Sequence, residues 1–342
     1  MNESNIQIIP DGFQIPPALK DFIKQWKSDL DYFALQTSGS TGKPKQIWVS
    51  RQSMIRSAQL TGQVLDLKKG DTALLCMPLE FVAGKMMLVR ALVLSLNLVA
   101  VKPSSHPLKE VSSESNIDFA AMTPMQVQET LKESETFKKL SQIKKLIIGG
   151  APVSRQLEDE LRQLPGEIFE TYGMTETLTH IALRKLNGSK RSEFFSVLPG
   201  IKISTDSREC LIIQAPHLDD QDVSTNDLVE IISPTQFRWL GRADNVINSG
   251  GIKIFPEQVE KKLEGLIKER FIVAGMPDGK LGEKLVLVIE TTTPEEFETL
   301  PGFIAENLGS YEKPREIIFL AKFPETSTGK INRSEIQKLL NG

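Results

Sequence analysis

Cysteine is nearly absent from the sequence, and its scarcity excludes the folds that depend on it. The 342 residues include two cysteines, Cys76 and Cys210, which lie far apart, without C-x-x-C spacing and without a histidine cluster nearby. Neither a disulfide scaffold nor a structural zinc site is therefore expected. The same scarcity favours a reducing compartment, so a cytoplasmic location is predicted.

An excess of charge of one sign is missing too. Lys and Arg number 41 and Asp and Glu 44, which gives a formal net charge of −3. A chain with this balance lacks the broad basic surface on which nucleic-acid binding depends. No nucleic-acid partner is therefore predicted.

Long hydrophobic runs are also lacking. The most apolar stretch, residues 88–101, contains Arg90 and Asn97 and is too short to cross a bilayer. The first residues have neither the basic stretch nor the apolar core of a signal peptide. We therefore expect no membrane span and no secretion signal.

What is present is an ordinary globular composition, with 40% hydrophobic and 25% charged residues, in a chain long enough for about two domains. Up to about residue 200, short β-branched runs alternate with amphipathic, helix-like stretches. This alternation predicts an α/β fold with a largely parallel sheet. The predicted strands are 72–76, 98–101, 119–122, 145–148 and 167–170, and the predicted helices include 79–96, 123–132 and 154–163.

The pattern changes in the second half of the chain. Short strand-like segments at 209–214, 228–233 and 236–239 predict a small antiparallel sheet. Beyond residue 240, a helix at 256–266 and strands at 269–275, 284–290 and 316–320 predict a compact α+β unit. We place a boundary at 240/241, which gives domains 1–240 and 241–342.

One loop carries most of the chemical information. Directly after the strand-like segment 32–36, hydroxyl side chains and two glycines precede two lysines, in the order Thr37, Ser38, Gly39, Ser40, Thr41, Gly42, Lys43, Pro44, Lys45. Glycines let backbone N–H groups turn inward, and hydroxyls and lysines suit phosphate oxygens. The glycine spacing and the proline do not fit a Walker A loop. The alternative is a solvated Ser/Gly turn.

This loop resembles the signature of the acyl-adenylate-forming, or AMP-binding, superfamily, and further segments resemble its other motifs in the expected order. They are 149–152 (GGAP), 172–176 (YGMTE), 241–244 (GRAD) with 248–260 (NSGGIKIFPEQVE), and 327–333 (STGKINR). The resemblance runs from about residue 33 to the C-terminus. It implies a large N-terminal α/β core with a small antiparallel sheet, and a small mobile α+β C-terminal lid.

The resemblance also implies a reaction in two halves. A carboxylate attacks the α-phosphate of ATP to give acyl-AMP and pyrophosphate, and a thiol, commonly that of coenzyme A, then displaces AMP. The implied cofactors are ATP, Mg²⁺ and coenzyme A, and the implied partner is a small carboxylic acid. Such a reaction needs positioning and charge neutralisation from the protein more than covalent participation.

Roles in nucleotide binding follow from the resemblance. Glu176 would bind Mg²⁺ and Thr175 the α-phosphate, although a Thr-Glu pair is also a common helix cap. Asp227 and Arg242 would hold the ribose hydroxyls, with a turn-forming aspartate as the alternative for Asp227. Tyr172 would pack on adenine beside the glycine-rich turns, whose residues are Gly149, Gly150, Ala151 and Gly173.

Two roles are assigned to the C-terminal part. Lys330 would bridge the substrate carboxylate and phosphate oxygens as charge develops in the first half-reaction. Asp244 would be the hinge about which the lid swings between the half-reactions. The alternatives are a surface lysine and an ordinary interdomain turn.

The acid is indicated by fewer residues. The segment 77–85 occupies the place of the family's acyl-channel motif, with Phe81 where histidine is usual, and Arg90 follows on the same predicted helix. An arginine in so apolar a segment either pairs with a protein carboxylate or binds a second carboxylate of the substrate. Thr179 and His180 would line the same pocket, although a surface position is the alternative for His180.

An aromatic acid with two carboxylates would account for the arginine. The short chain, the segment 77–85, the turn 195–200 (FSVLPG) and the hinge segment 248–251 (NSGG) resemble most closely those of the o-succinylbenzoate–CoA ligases of menaquinone biosynthesis. Another aryl- or acyl-CoA ligase, a carrier-loading adenylation enzyme and a non-catalytic nucleotide-binding protein are the alternatives. Only 36 residues precede the phosphate loop, where the superfamily usually carries a substantial subdomain. We expect this shortening to affect stability, the outer wall of the substrate cleft, or a homo-oligomer that replaces the lost burial.

Overall fold

The computed structural model describes residues 6–8, 17–36, 46–112, 115–218, 221–325 and 331–341. The predicted phosphate loop, 37–45, and the predicted catalytic Lys330 lie outside these ranges. No helix within them is both long and apolar enough to cross a membrane.

Three of the described helices begin at a side-chain cap. The Ser50 hydroxyl accepts from Ser53 N before α2, Thr123 and Gln126 form a capping box before α4, and the Ser154 hydroxyl accepts from Leu157 N before α6. The helices are α1 (Pro17–Lys27), α2 (Arg51–Val64), α3 (Val82–Leu94), α4 (Pro124–Leu131), α5 (Ser134–Gln142), α6 (Arg155–Leu161), α7 (Pro256–Leu263), α8 (Leu300–Asn307) and α9 (Arg333–Asn341).

The strands of the first 242 residues form two sheets. They are β1 (Ile6–Ile8), β2 (Tyr32–Gln36), β3 (Gln46–Ser50), β4 (Thr72–Leu75), β5 (Asn97–Ala100), β6 (Phe119–Met122), β7 (Lys145–Ile148), β8 (Glu167–Gly173), β9 (His180–Lys185), β10 (Phe195–Val197), β11 (Lys202–Thr205), β12 (Cys210–Gln214), β13 (Asp222–Ser233) and β14 (Gln236–Arg242). Strands β2 and β3 pair as an antiparallel hairpin, and the others form one twelve-stranded sheet in the order β1-β5-β4-β6-β7-β8-β9-β10-β14-β13-β12-β11.

The large sheet has a parallel and an antiparallel half. The pairings from β1 to β8 are parallel, and those from β8 to β11 are antiparallel. The predicted α/β class is confirmed, and the strands up to β8 in this sheet pair in parallel as predicted. The predicted antiparallel strands differ from expectation in one respect, because they continue the large sheet through β9 and β10.

Both faces of the parallel half are buried. Successive residues of β4 and the residue that follows it alternate between two hydrophobic clusters, with Ala73 and Leu75 in one and Leu74 and Cys76 in the other. Helices α2 and α3 pack on the first face, and α4, α5 and α6 on the second. This two-sided burial explains why the strands read as continuous apolar runs rather than as alternating ones.

The last hundred residues have a sheet and a core of their own. Strands β15 (Ile247–Ser249), β16 (Ile252–Ile254), β17 (Phe271–Asp278), β18 (Gly282–Glu290) and β19 (Glu316–Leu320) form a five-stranded sheet. Its two hydrophobic clusters contain only residues from 247 onward, and the clusters of the large sheet only residues up to 239. Strand β14 runs through the predicted boundary at 240/241 and ends at Arg242, and the division into two domains stays a prediction.

Candidate active site

The glycine-rich turn 149–151 lies at the carboxyl end of β7, where α/β sheets bind ligands. Gly149 is held close to β8, since a Cβ atom on it would lie 2.2 Å from Thr171 Oγ1. Gly150 has a φ of +85°, in the left-handed region that favours glycine. The structure thus places Gly149, Gly150 and Ala151 at a sheet edge where backbone can approach a nucleotide.

A buried ionic network holds the residues that follow this turn in place. The Val153 N–H donates to Glu170 Oε1 at 2.8 Å, and the other carboxylate oxygen of Glu170 accepts from Arg184 Nε at 2.7 Å. Arg184 also bonds to the buried Glu158 at 2.9 Å, and Glu158 pairs with Arg191. Because each buried charge has an opposite partner, the network gives the turn a rigid support.

The Thr175–Glu176 pair follows directly on the end of β8. Residues Thr175–Thr177 form a 3₁₀ turn whose N-cap is Met174, so the alternative of a capping role for Thr175 is not observed. Thr175 is buried, whereas the Glu176 carboxylate is exposed and makes no ion pair with any described residue.

These residues suit a metal held partly by phosphate. Within the described ranges no group of three or more acidic, histidine or cysteine side chains could hold a metal alone. Mg²⁺ is commonly bound by one or two carboxylates together with substrate phosphates. One unpaired carboxylate at the end of β8 fits that arrangement, with Glu176 as the ligand and Thr175 beside it.

The predicted ribose residues lie opposite each other on neighbouring strands. Asp227 on β13 is in register with Arg242 on β14, and Asp227 Oδ1 is 3.4 Å from Arg242 Nη1. Asp227 lies within a strand, so the alternative of a turn-forming residue is not observed. Arg242 also contacts the Asp244 carboxylate, at 3.3 Å, in the 3₁₀ turn Ala243–Asn245 that follows β14. Asp244 therefore lies where the chain leaves the large sheet, and its hinge role stays a prediction.

Tyr172 is tied to the same pair. Its hydroxyl donates to Asp227 Oδ2 at 2.6 Å, and its ring packs against Phe195 and edge-on against Phe237. Burial, together with the negative charge of Asp227, raises the pKa of Tyr172 well above 10, so the phenol stays a donor. Close to it, a Cβ on Gly173 would lie 2.3 Å from the carbonyl oxygen of Thr179. The residues predicted to bind the nucleotide are thus adjacent to those predicted to line the acid pocket.

A buried basic cluster marks the predicted acid pocket. It consists of Arg90 on α3, His180 at the start of β9 and His217 in the turn after β12, which are 3%, 6% and 2% exposed. Arg90 Nε, His180 Nε2 and His217 Nδ1 are buried without a hydrogen-bond partner among the described residues. No described carboxylate pairs with Arg90. The cluster therefore lacks a counter-charge from the part of the chain that the structure describes.

The charge state of the cluster follows from its burial. Burial lowers the pKa of Arg90 to about 10, so the guanidinium is still protonated at neutral pH. Burial, and then the nearby Arg90 charge, lower the pKa of His180 well below 6.5, so its imidazole is neutral. The alternative of a surface position for His180 is thus wrong. The cluster thus contains one full positive charge beside two neutral imidazoles.

Thr179 is adjacent to this cluster in the chain, whereas Phe81 lies apart from it. The Thr179 hydroxyl is 3.0 Å from that of Ser57, so it links the start of β9 to α2. Phe81 is the N-cap of α3 and is 37% exposed, nine residues before Arg90 on the same element. A separation of nine residues along a helix is about 14 Å, so Phe81 and Arg90 would contact different ends of an acid.

Comparison with known proteins agrees with this geometry. Residues 19–203 match the AMP-binding enzyme family, and residues 268–330 match the C-terminal domain of AMP-binding enzymes. The chain belongs to the AMP-binding enzyme family. An acyl-CoA synthetase (AMP-forming)/AMP-acid ligase II-like protein from Dyadobacter fermentans is 42% identical, with 95% of each chain covered and a TM-score of 0.65.

More distant relatives are longer. A 2-succinylbenzoate–CoA ligase from Lactococcus lactis is 24% identical over 89% of this chain and 70% of the relative. The o-succinylbenzoate coenzyme A synthetase from Bacillus subtilis, solved with ATP and magnesium ion, is 21% identical, with 89% of this chain and 69% of that chain covered and a TM-score of 0.76. At this identity the structural likeness concerns the fold.

Family membership confirms the predicted enzyme class. This AMP-binding enzyme is an AMP-forming acid–CoA ligase. The reactants of that class are ATP, with its magnesium ion, and coenzyme A, as the motifs predict. The role of each individual side chain in this AMP-binding enzyme stays a prediction.

One buried residue of the site was missed in the sequence. His217, beside Pro216, has the local pattern of a loop residue, and it does lie in a turn. Its ring is nevertheless buried, because the turn folds back onto Thr177, forty residues earlier. No local periodicity carries that information, and a histidine beside the apolar strand residues 211–213 is the only available hint.

Replacing Gly149 by alanine is expected to raise the KM for ATP of this AMP-binding enzyme about tenfold or more. The added Cβ would lie 2.2 Å from Thr171 Oγ1, so either the glycine turn or β8 must shift. Pyrophosphate release at varied ATP concentration measures the effect. The matched control is Gly149→Ala with Thr171→Ala, because the nearest remaining atom, Thr171 Cβ, is 3.6 Å away. If the second change restores nothing, the turn does not position ATP.

Proposed function

We propose that the enzyme ligates o-succinylbenzoate to coenzyme A, through an acyl-adenylate, and so takes part in menaquinone biosynthesis. The supporting observation is the buried Arg90, which is protonated at neutral pH and has no carboxylate partner among the described residues. An uncompensated buried charge is costly, so it persists where a ligand supplies the opposite charge. An acid with two carboxylates, one for activation and one for Arg90, meets that need.

The side chains assigned to the wall of the acid pocket favour an aromatic acid. The half-buried hydrophobic residues Leu79 and Val82 and the aromatic Phe81 stand at the N-terminal end of α3, and Arg90 lies deeper on the same helix. A planar guanidinium can bind a carboxylate through two parallel hydrogen bonds. We assign Phe81, Thr179 and His180 to the wall that contacts the acid and Arg90 to its second carboxylate.

The nucleotide side is assigned in the same way. Asp227 and Arg242 hold the ribose, Tyr172 and the turn 149–151 contact adenine, Thr175 contacts the α-phosphate, and Glu176 binds the magnesium ion, which neutralises phosphate charge when bound. Lys330 and the loop residues 37–43 complete this assignment from the sequence. Asp244 serves as the hinge that brings the C-terminal part over the site.

A pyrophosphate-release screen over carboxylic acids, with and without coenzyme A, tests the proposal. We expect the highest kcat/KM for o-succinylbenzoate, release of pyrophosphate without coenzyme A in a single turnover, and sustained turnover only with it. Preference for a monocarboxylic aryl or acyl acid would reassign the substrate. The absence of pyrophosphate release with every acid would favour a non-catalytic nucleotide-binding protein, and acceptance of a carrier-protein thiol but not of coenzyme A would indicate carrier loading.

A further inference from the structure

The backbone between the predicted metal residue and the acid pocket is strained. Leu178 has φ +65° and ψ −48°, and the Thr179 N–H donates to the Thr177 carbonyl at 2.7 Å. These values describe a γ-turn of the rare form, which a branched side chain disfavours. The Leu178 side chain is 1% exposed, so core packing holds it in place. Strained backbone of this kind persists only where the surroundings determine it.

The segment that contains the turn is closed on itself by one side chain. Thr177 is fully buried, and its hydroxyl accepts from Met174 N at 3.0 Å and lies 2.8 Å from the Thr179 carbonyl, to which it donates. The Leu178 N–H donates to the Thr175 carbonyl at 3.0 Å. Residues 174–179 are therefore bonded to one another, and their contacts with the rest of the fold set the position of this segment.

His217 supplies such a contact from the other half of the sheet. Its Nε2 atom is 3.1 Å from the Thr177 carbonyl oxygen. Because a carbonyl only accepts, Nε2 carries the proton, and the unpartnered Nδ1 carries none. Burial lowers the pKa of His217, which keeps the ring neutral with a single N–H. The buried donor is thus directed at the oxygen that also closes the γ-turn.

We propose that His217 is a positioning residue whose Nε2–H fixes the Thr177 carbonyl, and with it the spacing between the nucleotide side and the acid side of the site. Thr175 and Glu176 precede the turn, and Thr179 and His180 follow it. A displacement of the turn would change the distance between the substrate carboxylate and the α-phosphate. Misplacement by about 1 Å can cost a factor of about 100 in rate. This inference rests on the proposed function, which assigns those residues to ATP and acid.

Two nearly isosteric replacements isolate the hydrogen bond. In glutamine, as in histidine, Nε2 is four bonds from Cα, so His217→Gln keeps a donor at the required distance. His217→Met has the same length, tolerates burial and offers no N–H. We expect ATP–pyrophosphate exchange by the glutamine variant to stay within about threefold of wild type. For the methionine variant we expect kcat to fall about tenfold or more and the KM for the acid to rise.

A second variant and a stability measurement separate positioning from folding. His217→Asn places its amide nitrogen one bond short of the Thr177 carbonyl, so it should behave like the methionine variant although it remains polar. Thermal unfolding of all three variants identifies any loss of activity that reflects unfolding. Equal activity of the glutamine and methionine variants, whether both are high or both are low, would overturn the proposal.

The failure of this inference is distinguishable from that of the proposed function. The exchange assay uses whichever acid the wild-type enzyme activates, because the turn acts on adenylation and not on one particular acid. If wild type activates an acid other than o-succinylbenzoate, the substrate assignment fails and the comparison of variants proceeds with that acid. If wild type is active and the variants do not differ, the positioning role fails while the function stands.

Discussion

Replacing Arg90 by methionine should abolish most of the activity with o-succinylbenzoate and yet stabilise the ligand-free enzyme. Removing one partner of a desolvated charge pair costs about 2–5 kcal/mol, which corresponds to a loss in kcat/KM of roughly thirtyfold to several thousandfold. Arg90 is 3% exposed and has no described partner, so an apolar side chain of similar length removes an uncompensated buried charge. Pyrophosphate release and thermal unfolding measure the two effects.

The control for this prediction is a substrate analogue with a single carboxylate. The acid 4-oxo-4-phenylbutanoate keeps the aliphatic carboxylate of o-succinylbenzoate and lacks the one on the ring. Arg90→Met should use it as well as wild type does, or better. Arg90→Lys keeps the charge but lacks the planar guanidinium. Its activity with o-succinylbenzoate should therefore lie between that of wild type and that of Arg90→Met. Equal losses with both acids, or a lowered unfolding temperature, would show that Arg90 serves the fold.

The opposite signs of the two effects identify a functional charge. A structural arginine stabilises through its partners, and its removal lowers stability. An arginine kept for a ligand lowers stability until the ligand binds, which is the usual relation between an active site and its scaffold. The neutral His180 and His217 agree with this reading, because they add no further buried charge to that of Arg90.

The sequence predicts the parallel half of the fold well. Strands β6 and β7 have the predicted bounds, 119–122 and 145–148, because their apolar runs are short and end at turn residues. The helix predicted over 79–96 is observed as Val82–Leu94, since Ser95 adopts a left-handed conformation that ends it. Local signals suffice where an element is defined by its own apolar residues and its own ends.

Long-range features are not predictable in the same way. The junction of the antiparallel strands with the large sheet depends on the pairing of β9 with β8 and of β14 with β10. The contact between His217 and Thr177 and the left-handed Leu178 likewise arise from tertiary packing. Helix α5 was also missed, since seven of its nine residues, 134–142, are polar or charged and its apolar positions are few. Sequence motifs indicate which residues belong to the candidate site, whereas tertiary packing determines how those residues are positioned.

Replacing Lys330 by alanine is expected to separate the two half-reactions. Described residues on either side of it in the chain are held by contacts, since Glu325 pairs with Ile331 and Arg333 bonds to Glu260 on α7 at 2.5 Å. A lysine at the active site can stabilise the charge that develops as the carboxylate attacks the α-phosphate, and losing one such group costs a factor of about 10²–10³. Acyl transfer to coenzyme A involves no such attack and should change little.

The two half-reactions are therefore measured separately. ATP–pyrophosphate exchange reports adenylation, and thioester formation from a synthetic acyl-adenylate and coenzyme A reports the second step. Lys330→Ala should lose exchange by about 10²–10³ while thioester formation stays within a few-fold of wild type. Lys330→Arg retains the charge in a different geometry and should recover part of the exchange activity. An equal loss in both halves would mean that the lysine acts on lid placement, because a shared conformational step is what would slow both reactions together.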